Sequence, residues 1–213
     1  MPIRSIKGAL KVLVLVAIFF AGVWSQSSGV IDEFLWYLPD VQYLMVQHIW
    51  LTVMSGSLAI LFAIPLGIVL SRPKMANVAE SLMQVLNVGT TIPTLAVLAL
   101  SMSFLGIGTV PAVFGLFVAT LLPITRNTYT GLKGVNPALM EAAAGIGMSP
   151  MQRLFKVELP NALYVIFAGM RTALTINVGT VPLAFLIGAG GLGELIFTGI
   201  DLYDPVMMLS GAI

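Results

Sequence analysis

Residues 81–125, SLMQVLNVGTTIPTLAVLALSMSFLGIGTVPAVFGLFVATLLPIT, form a run of 45 amino acids without a charged side chain. A membrane-spanning helix needs about 20 predominantly apolar residues, so this run has room for two helices. The break between them is predicted near Gly106-Ile107-Gly108-Thr109, where two glycines interrupt the apolar sequence. The stretch therefore predicts consecutive transmembrane helices near 82–105 and 110–125.

The composition of the whole chain agrees with a membrane protein. Of its 213 residues, 58% are hydrophobic and 9% are charged, and the mean hydropathy is +1.01. Soluble domains carry about 25% charged residues, so this composition argues against a soluble fold. The net charge of +1 gives no indication of a nucleic-acid partner. With no cysteine and a single histidine, His48, the chain offers neither a disulfide nor a set of metal ligands.

Three more charge-free runs have the length of a span: 12–31, 41–71 and 172–193. They predict transmembrane helices near 9–24, 49–70 and 162–187. The first run ends in Val23-Trp24 rather than in a small-residue cleavage site, so we expect an uncleaved anchor instead of a signal peptide. A last apolar stretch extends from Pro205 to Ile213 and is too short to cross. The sequence predicts an all-α, polytopic helix bundle with five complete spans and the start of a sixth, within which the chain ends.

The distribution of charges predicts the orientation. With the N-terminus in the cytoplasm, nine of the ten Lys and Arg residues lie on the cytoplasmic side, and the tenth, Arg171, lies within the fifth span. The outer segments carry only acidic charges: Asp32, Glu33, Asp40, Glu194, Asp201 and Asp204. Because Lys and Arg are enriched in cytoplasmic loops of membrane proteins, the N-terminus is predicted to be cytoplasmic.

No Asp or Glu lies inside a predicted span. Ion-coupled transporters usually need buried ionisable groups to bind the driving ion, so a self-energised pump is disfavoured. A membrane-embedded enzyme is disfavoured too, because the spans lack acid–base pairs, and we expect no catalytic residue. Channels, structural proteins and transporters driven by a separate motor remain open.

Polar side chains in the third and fifth spans indicate a candidate translocation path. Those of the third span recur at helical spacing and are predicted to share one face: Gln84, Asn87, Thr91, Thr94 and Ser101. In lipid, polar side chains must contact other helices or a water-filled path, and ordinary helix packing stays the alternative. The residues selected for the path are Asn87, Thr91, Thr94, Thr175, Asn177 and Thr180.

Glycine and proline mark breaks within this pattern. Spans two to five each contain a proline that tends to kink its helix: Pro65, Pro93, Pro123 and Pro182. The segment Gly188–Gly193 matches G-x-G-x-x-G, but no strand or βαβ unit accompanies it, so a dinucleotide site is rejected. We expect a sharp turn that allows close backbone packing.

The longest cytoplasmic segment, residues 126–160, predicts a docking element. Asn136-Pro137 and Ser149-Pro150 each combine an N-cap with a proline at the first helical position. The first helix is predicted over Ala138–Ala144 and exposes three consecutive alanines, Ala142 to Ala144, before Gly145 and Gly147 end it. The second is predicted to run to about Glu158 and to close at Leu159-Pro160.

Seven residues in this segment have a fixed spacing: Glu141, Ala142, Ala143, Gly147, Val157, Leu159 and Pro160. The spacing resembles the E-A-A, three residues, G, nine residues, I-x-L-P motif of binding-protein-dependent ABC importer permeases, with Val157 in place of isoleucine. From about His48 to Gly199 the chain resembles the osmoprotectant branch of that family, which imports glycine betaine, choline, carnitine and similar quaternary amines. The segments that carry this resemblance are Thr91–Pro93, Leu122–Thr128, Val157–Pro160 and Gly188–Gly193. Methionine-type permeases share several of them.

The resemblance implies a methionine-permease-like transmembrane subunit in the bacterial cytoplasmic (inner) membrane. It implies a division into an N-terminal anchor and outer loop (1–47) and a permease domain (48–213), with the coupling loop at 126–160. The implied partners are a second permease subunit, two cytoplasmic ATPases and an extracytoplasmic binding protein, which docks around 26–42 and 188–204. ATP and Mg belong to the ATPases, so this chain is expected to hold no cofactor. The alternatives are another substrate such as methionine, or a passive channel or facilitator.

Overall fold

The computed structural model describes residues 11, 13–16, 19–20, 22–23, 25–27 and 29–212, and these form helices and connecting turns without a strand. The all-α prediction is confirmed for this part of the chain. The helices are α1 (Val30–Leu70), α2 (Ala76–Gly89), α3 (Thr94–Leu105), α4 (Thr109–Lys133), α5 (Pro137–Gly145), α6 (Pro150–Arg153), α7 (Leu159–Thr180), α8 (Gly193–Leu202) and α9 (Pro205–Ala212). A 3₁₀ turn, Pro73–Met75, precedes α2; a π turn, Leu154–Glu158, joins α6 to α7; and a 3₁₀ turn, Val181–Ile187, follows α7. The predicted span 9–24 lies partly outside the described residues, and those described between 11 and 27 are helical.

Three helical segments of the described chain are long and apolar enough to cross a membrane: Val30–Leu70, Thr109–Lys133 and Pro150–Ile187. The pair Pro73–Gly89 and Thr94–Leu105 becomes a fourth if it is taken as one broken span. The predicted spans at 49–70, 110–125 and 162–187 fall within the first three. Their uncharged apolar runs therefore identified the correct parts of the chain.

The helix α1 begins earlier than the sequence predicts. The span was expected at 49–70 after an outer loop at 26–42, but the backbone is helical from Val30 through Pro39 to Leu70. Charged residues exclude a segment from lipid but do not end a helix. Asp32 and Glu33 lie in the first turn of α1, where negative side chains interact favourably with the helix dipole.

The predicted third span, 82–105, is not one straight helix. It divides into α2 and α3, which meet at an angle of 103°. Pro93 supplies no N–H, and a proline disfavours the helical conformation in the residue before it. The Oγ atoms of Thr90 and Thr91 donate to the carbonyls of Asn87 and Val88, each at 2.7 Å, at the end of α2. The prediction of one continuous polar face along this span is therefore wrong.

Helical structure also occupies most of the predicted cytoplasmic loop 126–160. The helix α4 continues to Lys133, and the chain stays helical from Pro150 into α7. Leu159-Pro160 does not close a separate helix as predicted. The amide of Leu159 donates to the carbonyl of Leu154, five residues earlier, and this wider π turn gives the following proline ring room that a tight α turn lacks.

Contacts divide the chain into two compact units. The larger, Leu44–Gly193, contains three clusters of buried apolar residues. Its helices approach closely at glycines: a Cβ on Gly67 of α1 would lie 2.6 Å from the Cβ of Thr128, and one on Gly169 of α7 would overlap the side chain of Asn127. Small residues at such interfaces are a usual feature of membrane helix packing.

The turn after α7 has the sharp form expected for Gly188–Gly193. Gly188, Gly190 and Gly191 have φ of +79°, +75° and +85°, a region that side chains rarely adopt. The amide of Gly191 donates to Oε1 of Gln47 at 3.0 Å. A Cβ on Gly193 would overlap the backbone of Pro182, so close backbone packing accounts for these glycines.

The smaller unit comprises the residues up to Tyr43 together with those from Glu194 onward. Within it, Asp204 Oδ1 accepts from the amides of Val206 and Met207 at 3.0 and 2.9 Å and caps the start of α9. The hydroxyl of Tyr37 donates to Asp204 Oδ2 at 2.6 Å. The Met207 amide and the Tyr37 hydroxyl hold the pKa of Asp204 below its ordinary value.

Candidate functional site

The segment 126–160, which the sequence predicts to be cytoplasmic, contains two capped helix starts at the predicted positions. Asn136 Oδ1 accepts from the amide of Ala138 at 2.9 Å at the start of α5. Ser149 and Gln152 form a reciprocal capping box at the start of α6, with N–O distances of 2.9 and 3.3 Å. Gly147 has a φ of +79° in the turn between them. Local hydrogen bonds thus fix both helix starts, and the glycine fixes the elbow.

The seven motif residues fall into two groups. Glu141, Ala142 and Gly147 are exposed on α5 and its elbow, whereas Val157, Leu159 and Pro160 belong to the continuous helix that leads into α7. Ala143 was predicted to be exposed, but it is 4% exposed, because α5 packs on the π turn and α6. Met140, Leu154 and Leu159 pack against a buried cluster of Leu132, Val135, Ala162 and Ile166. The motif therefore provides an exposed surface on α5 and its elbow, and part of the continuous helix from Pro150 into α7 that supports α5.

An ion pair joins this supporting helix, at Glu158, to Arg72, which follows the end of α1. Both terminal nitrogens of Arg72 donate to the two carboxylate oxygens of Glu158, with Nη1 to Oε1 at 3.1 Å. Arg72 Nε also donates to the carbonyl of Ile68 at 3.1 Å, and Nη2 donates to Ser71 Oγ at 2.7 Å. Neither partner was selected from the sequence. Only their proximity in space, 86 positions apart in the chain, reveals the pair.

A cavity of about 150 Å³ lies where α2 bends into α3. Its polar lining residues are Thr90, Thr94, Thr120, Asn177 and Thr180, and Ile92, Val97, Leu122 and Ile176 are among the apolar ones. The elements α2, α3, α4 and α7 contribute to its wall. Of the six residues selected from the sequence for a path, the structure brings Thr94, Asn177 and Thr180 together here.

The other three path residues do not line this cavity: Asn87, Thr91 and Thr175 are exposed. Thr175 Oγ1 donates to the carbonyl of Arg171 at 2.8 Å within its own helix. Sequence reasoning missed Thr90 and Thr120. The 103° bend turns Thr90 instead of Thr91 toward the cavity, and the spacing along a straight helix could not indicate this. Thr120 lies in the fourth predicted span, for which no polar face was predicted.

Asn177 also holds α7 against α1. Its Nδ2 donates to Ser55 Oγ at 2.9 Å and to the carbonyl of Thr52 at 3.3 Å. Ser55 is fully buried, and Asn177 is 2% exposed. A buried polar side chain with partners on another helix is costly to remove, so Asn177 serves the packing as well as the cavity wall.

A comparison with family models matches residues 63–213 to the binding-protein-dependent transport system inner membrane component. The chain belongs to this family. The match covers both the cavity and the motif segment.

Relatives in this family extend the match to almost the whole chain. The osmoprotectant import permease protein OsmY of Salmonella typhimurium is 50% identical over 98% of this chain and 86% of its own length. The choline transport system permease protein OpuBB of Bacillus subtilis is 44% identical over 82% of this chain and 79% of its own. Both are permease proteins of transport systems.

Solved structures share the fold. An inward-facing structure of the MetNI methionine ABC transporter aligns with a TM-score of 0.72 at 25% identity, over 80% of this chain and 87% of that one. A crystal structure of an amino acid ABC transporter has a TM-score of 0.64 at 17% identity, over 84% and 92% of the two chains, and shows the fold alone. The predicted ABC permease family is thereby confirmed, and these permeases share the all-helical fold of the described residues.

Membership in this permease family settles the broad class of the protein. It is a membrane-embedded transport subunit of the inner membrane, and ATP hydrolysis belongs to separate ATPase subunits. Because the energy arrives from outside this chain, the spans need no ionisable group that binds a driving ion.

Proposed function

We propose that this chain is the permease subunit of an ATP-driven importer for a quaternary amine osmoprotectant: glycine betaine, choline or carnitine. The observation that carries the proposal is the 50% identity to an osmoprotectant import permease over 98% of this chain. Permeases named for choline and for carnitine are 44% and 45% identical to it. A separate extracytoplasmic protein would bind the substrate and deliver it.

The proposed assembly contains a second permease subunit, two ATPase subunits that bind ATP and Mg, and the binding protein. The exposed face of α5, with Glu141 and Ala142, would seat on an ATPase. Its support by Leu159 and by the ion pair of Arg72 with Glu158 favours transmission of motion from that seat into α7 and α1. Closure of the ATPases would then shift the permease pair between inward- and outward-facing states.

The finer topology is part of this proposal. Five spans and the start of a sixth would result if the N-terminal segment and the α2–α3 pair each cross once. The helix α9, from Pro205, would then begin the sixth span. The cavity lined by Thr94, Asn177 and Thr180 would lie along the path, and the binding protein would dock on the outer side around 188–204.

Uptake by the reconstituted transporter tests the proposal. The complete complex in liposomes, with ATP inside and loaded binding protein outside, should accumulate radiolabelled glycine betaine, choline or carnitine. Uptake of none of these three would refute the proposal. Uptake that persists without ATP and without the binding protein would instead support a passive channel or facilitator.

Methionine is the second candidate substrate because the methionine transporter shares the fold at 25% identity. Binding measurements on the partner binding protein, with methionine and the three quaternary amines, separate the candidates. Binding of methionine alone would overturn the osmoprotectant assignment and leave the ABC importer class intact.

Coupling through the elbow of α5 can be tested at Gly147. With a φ of +79°, this position disfavours a side chain by roughly 1–2 kcal/mol. Gly147→Asp should abolish uptake while the protein still inserts in the membrane. Gly145→Ala is the matched control, because a Cβ there meets open space and the backbone is helical. Full uptake by Gly147→Asp would refute the coupling role.

A further inference from the structure

The cavity at the α2–α3 bend offers hydrogen-bond acceptors along α4 and α7. Thr120 Oγ1 donates its hydrogen to the carbonyl of Leu116 at 2.7 Å, and Thr180 Oγ1 donates to that of Asn177 at 3.0 Å. A hydroxyl has one hydrogen and two lone pairs. Both side chains have therefore used their hydrogen and retain acceptor capacity.

Asn177 adds an acceptor that has no partner. Both hydrogens of its Nδ2 are used, by Ser55 Oγ and by the carbonyl of Thr52. Ser55 itself donates to the carbonyl of Leu51 at 2.7 Å, so its Oγ must accept from Asn177, and this fixes the orientation of the amide. The Oδ1 atom of Asn177 is buried and makes no hydrogen bond in the described chain. A buried acceptor without a partner is costly, and Asn177 lines the cavity, so a positively charged group bound there would offset that cost.

The start of α3 offers hydrogen-bond donors to the cavity instead of acceptors. This helix begins at Thr94 directly after Pro93, and no side chain caps its start. The amides of Thr94 and Leu95 have no backbone acceptor in the described chain, since the bonds at this end begin with Ala96 and Val97. A helix start carries a partial positive charge and binds anionic groups. Thr94 also lines the cavity and keeps a hydroxyl hydrogen free to donate.

The acceptors on α4 and α7 and the donors at the start of α3 match the two ends of a molecule that carries both a quaternary ammonium group and a carboxylate. A quaternary ammonium group carries positive charge but no N–H, so oxygen lone pairs stabilise it by charge alone. A carboxylate needs donors, which the start of α3 supplies. A cavity of about 150 Å³ resembles in volume one that accepts benzene, so a small zwitterion fits.

We propose that this cavity is a contact site for the substrate in transit and selects quaternary amines that carry a carboxylate, such as glycine betaine. Their ammonium group faces Asn177, Thr120 and Thr180, and their carboxylate faces the start of α3 at Thr94. Choline, which has no carboxylate, uses only the acceptor side. The inference rests on the proposed import of quaternary amines and extends it to the permease itself.

Two near-isosteric variants separate the two sides of the cavity. Thr94→Val removes the side-chain donor of the carboxylate side and leaves the backbone amides, and Thr180→Val removes an acceptor of the ammonium side. Thr172→Val is the matched control, because Thr172 lies on the same helix as Thr180 and makes the same type of internal hydrogen bond outside the cavity. Maximal uptake rates are measured with the reconstituted complex at saturating binding protein loaded with glycine betaine or with choline.

Thr94→Val should slow glycine betaine uptake about tenfold, as expected for one lost hydrogen bond to a charged group, and leave choline uptake within twofold. Thr180→Val should slow the uptake of both substrates, and Thr172→Val the uptake of neither. A third variant, Asn177→Asp, places a negative charge in the cavity and should change the rate ratio in favour of choline. That change in ratio is not expected from a merely structural defect.

Three results would overturn the inference: equal effects of Thr94→Val on both substrates, Thr94→Val and Thr180→Val uptake rates like those of Thr172→Val, or an unchanged rate ratio in folded Asn177→Asp. A cavity that holds water alone would give the second result. Failure of the wild-type complex to import either substrate would refute the proposed function instead. The two failures are therefore distinguishable.

Discussion

Replacing Arg72 by glutamine should destabilise the protein more than replacing its partner Glu158 by glutamine. The side chain of Arg72 is 31% exposed and that of Glu158 is 7% exposed. Removal of Arg72 leaves a buried carboxylate without a cation, whereas removal of Glu158 leaves a guanidinium that water still reaches. Arg72→Gln also removes the donors to Ile68 and Ser71.

The expected magnitudes follow from this asymmetry. Breaking a buried ion pair costs about 3–5 kcal/mol, and we assign this range to Arg72→Gln. Glu158→Gln should cost about 2 kcal/mol, because the remaining charge is partly hydrated and Gln still accepts a hydrogen bond. For a chain of this size, each kcal/mol lowers Tm by about 2–4 °C. The double variant should be more stable than the sum of the single variants predicts, since it leaves no unpaired charge.

The assay heats the detergent-solubilised transporter and follows a fluorescent tag on this chain by size-exclusion chromatography. Lys74→Gln is the control, because Lys74 is exposed and makes no ion pair among the residues that the structure describes; its effect should stay within about 0.5 kcal/mol. Equal, small Tm changes for Arg72→Gln and Glu158→Gln, or strict additivity in the double variant, would refute the reasoning.

Three further perturbations have clear expectations. Gly169→Ala should destabilise the protein by about 1–3 kcal/mol, because the new Cβ would overlap Asn127. Gly179→Ala on the same helix places its Cβ in open space and should be neutral or slightly stabilising. Similar Tm values for the two variants would contradict this expectation. Asn136→Ala removes the N-cap of α5 at a cost of about 1 kcal/mol and should speed amide hydrogen exchange there, and unchanged exchange would count against the cap. Asp204 has a pKa below its ordinary value in the folded protein, so its carboxylate stabilises the fold above the unfolded pKa of about 3.9 and loses this effect as pH falls through the folded pKa. Asp204→Asn should therefore weaken the fall of Tm at acid pH. An unchanged fall of Tm at acid pH in this variant would exclude a contribution from Asp204.

The membrane segments could be predicted because lipid excludes charge over a defined length. This constraint identified the apolar parts of α1, α4 and α7. It could not set the start of α1, since Asp32, Glu33 and Asp40 end the lipid-compatible sequence but not the helix. Charge patterns report where a helix meets water, and hydrogen bonds decide where it ends.

The bend between α2 and α3 shows a second limit of what the sequence can predict. Pro65 and Pro123 lie inside continuous helices, whereas the chain breaks at Pro93. All three lack the same donor, so a proline alone does not decide whether a helix breaks. Two of the predicted path residues, Asn87 and Thr91, lie in this segment and do not line the cavity, because the prediction assumed a straight helix.

The caps and the elbow within residues 126–160 were predictable because they depend on adjacent residues. Asn136, Ser149 and Gly147 each act within three positions of their own place in the chain. The ion pair of Arg72 with Glu158 was not predictable, because it depends on two helix ends that meet only in the folded protein.

The π turn Leu154–Glu158 fixes the rotational phase between α6 and α7. Each residue of an α-helix turns the chain by about 100°, so the extra residue in this turn sets which side of α6 faces α5. That direction depends on how many residues the turn holds and not on one side chain. Substitutions here leave the phase intact, whereas deletion of one residue would rotate the support of α5 away from it. The number of residues in this segment is therefore as strict a requirement as the motif it contains.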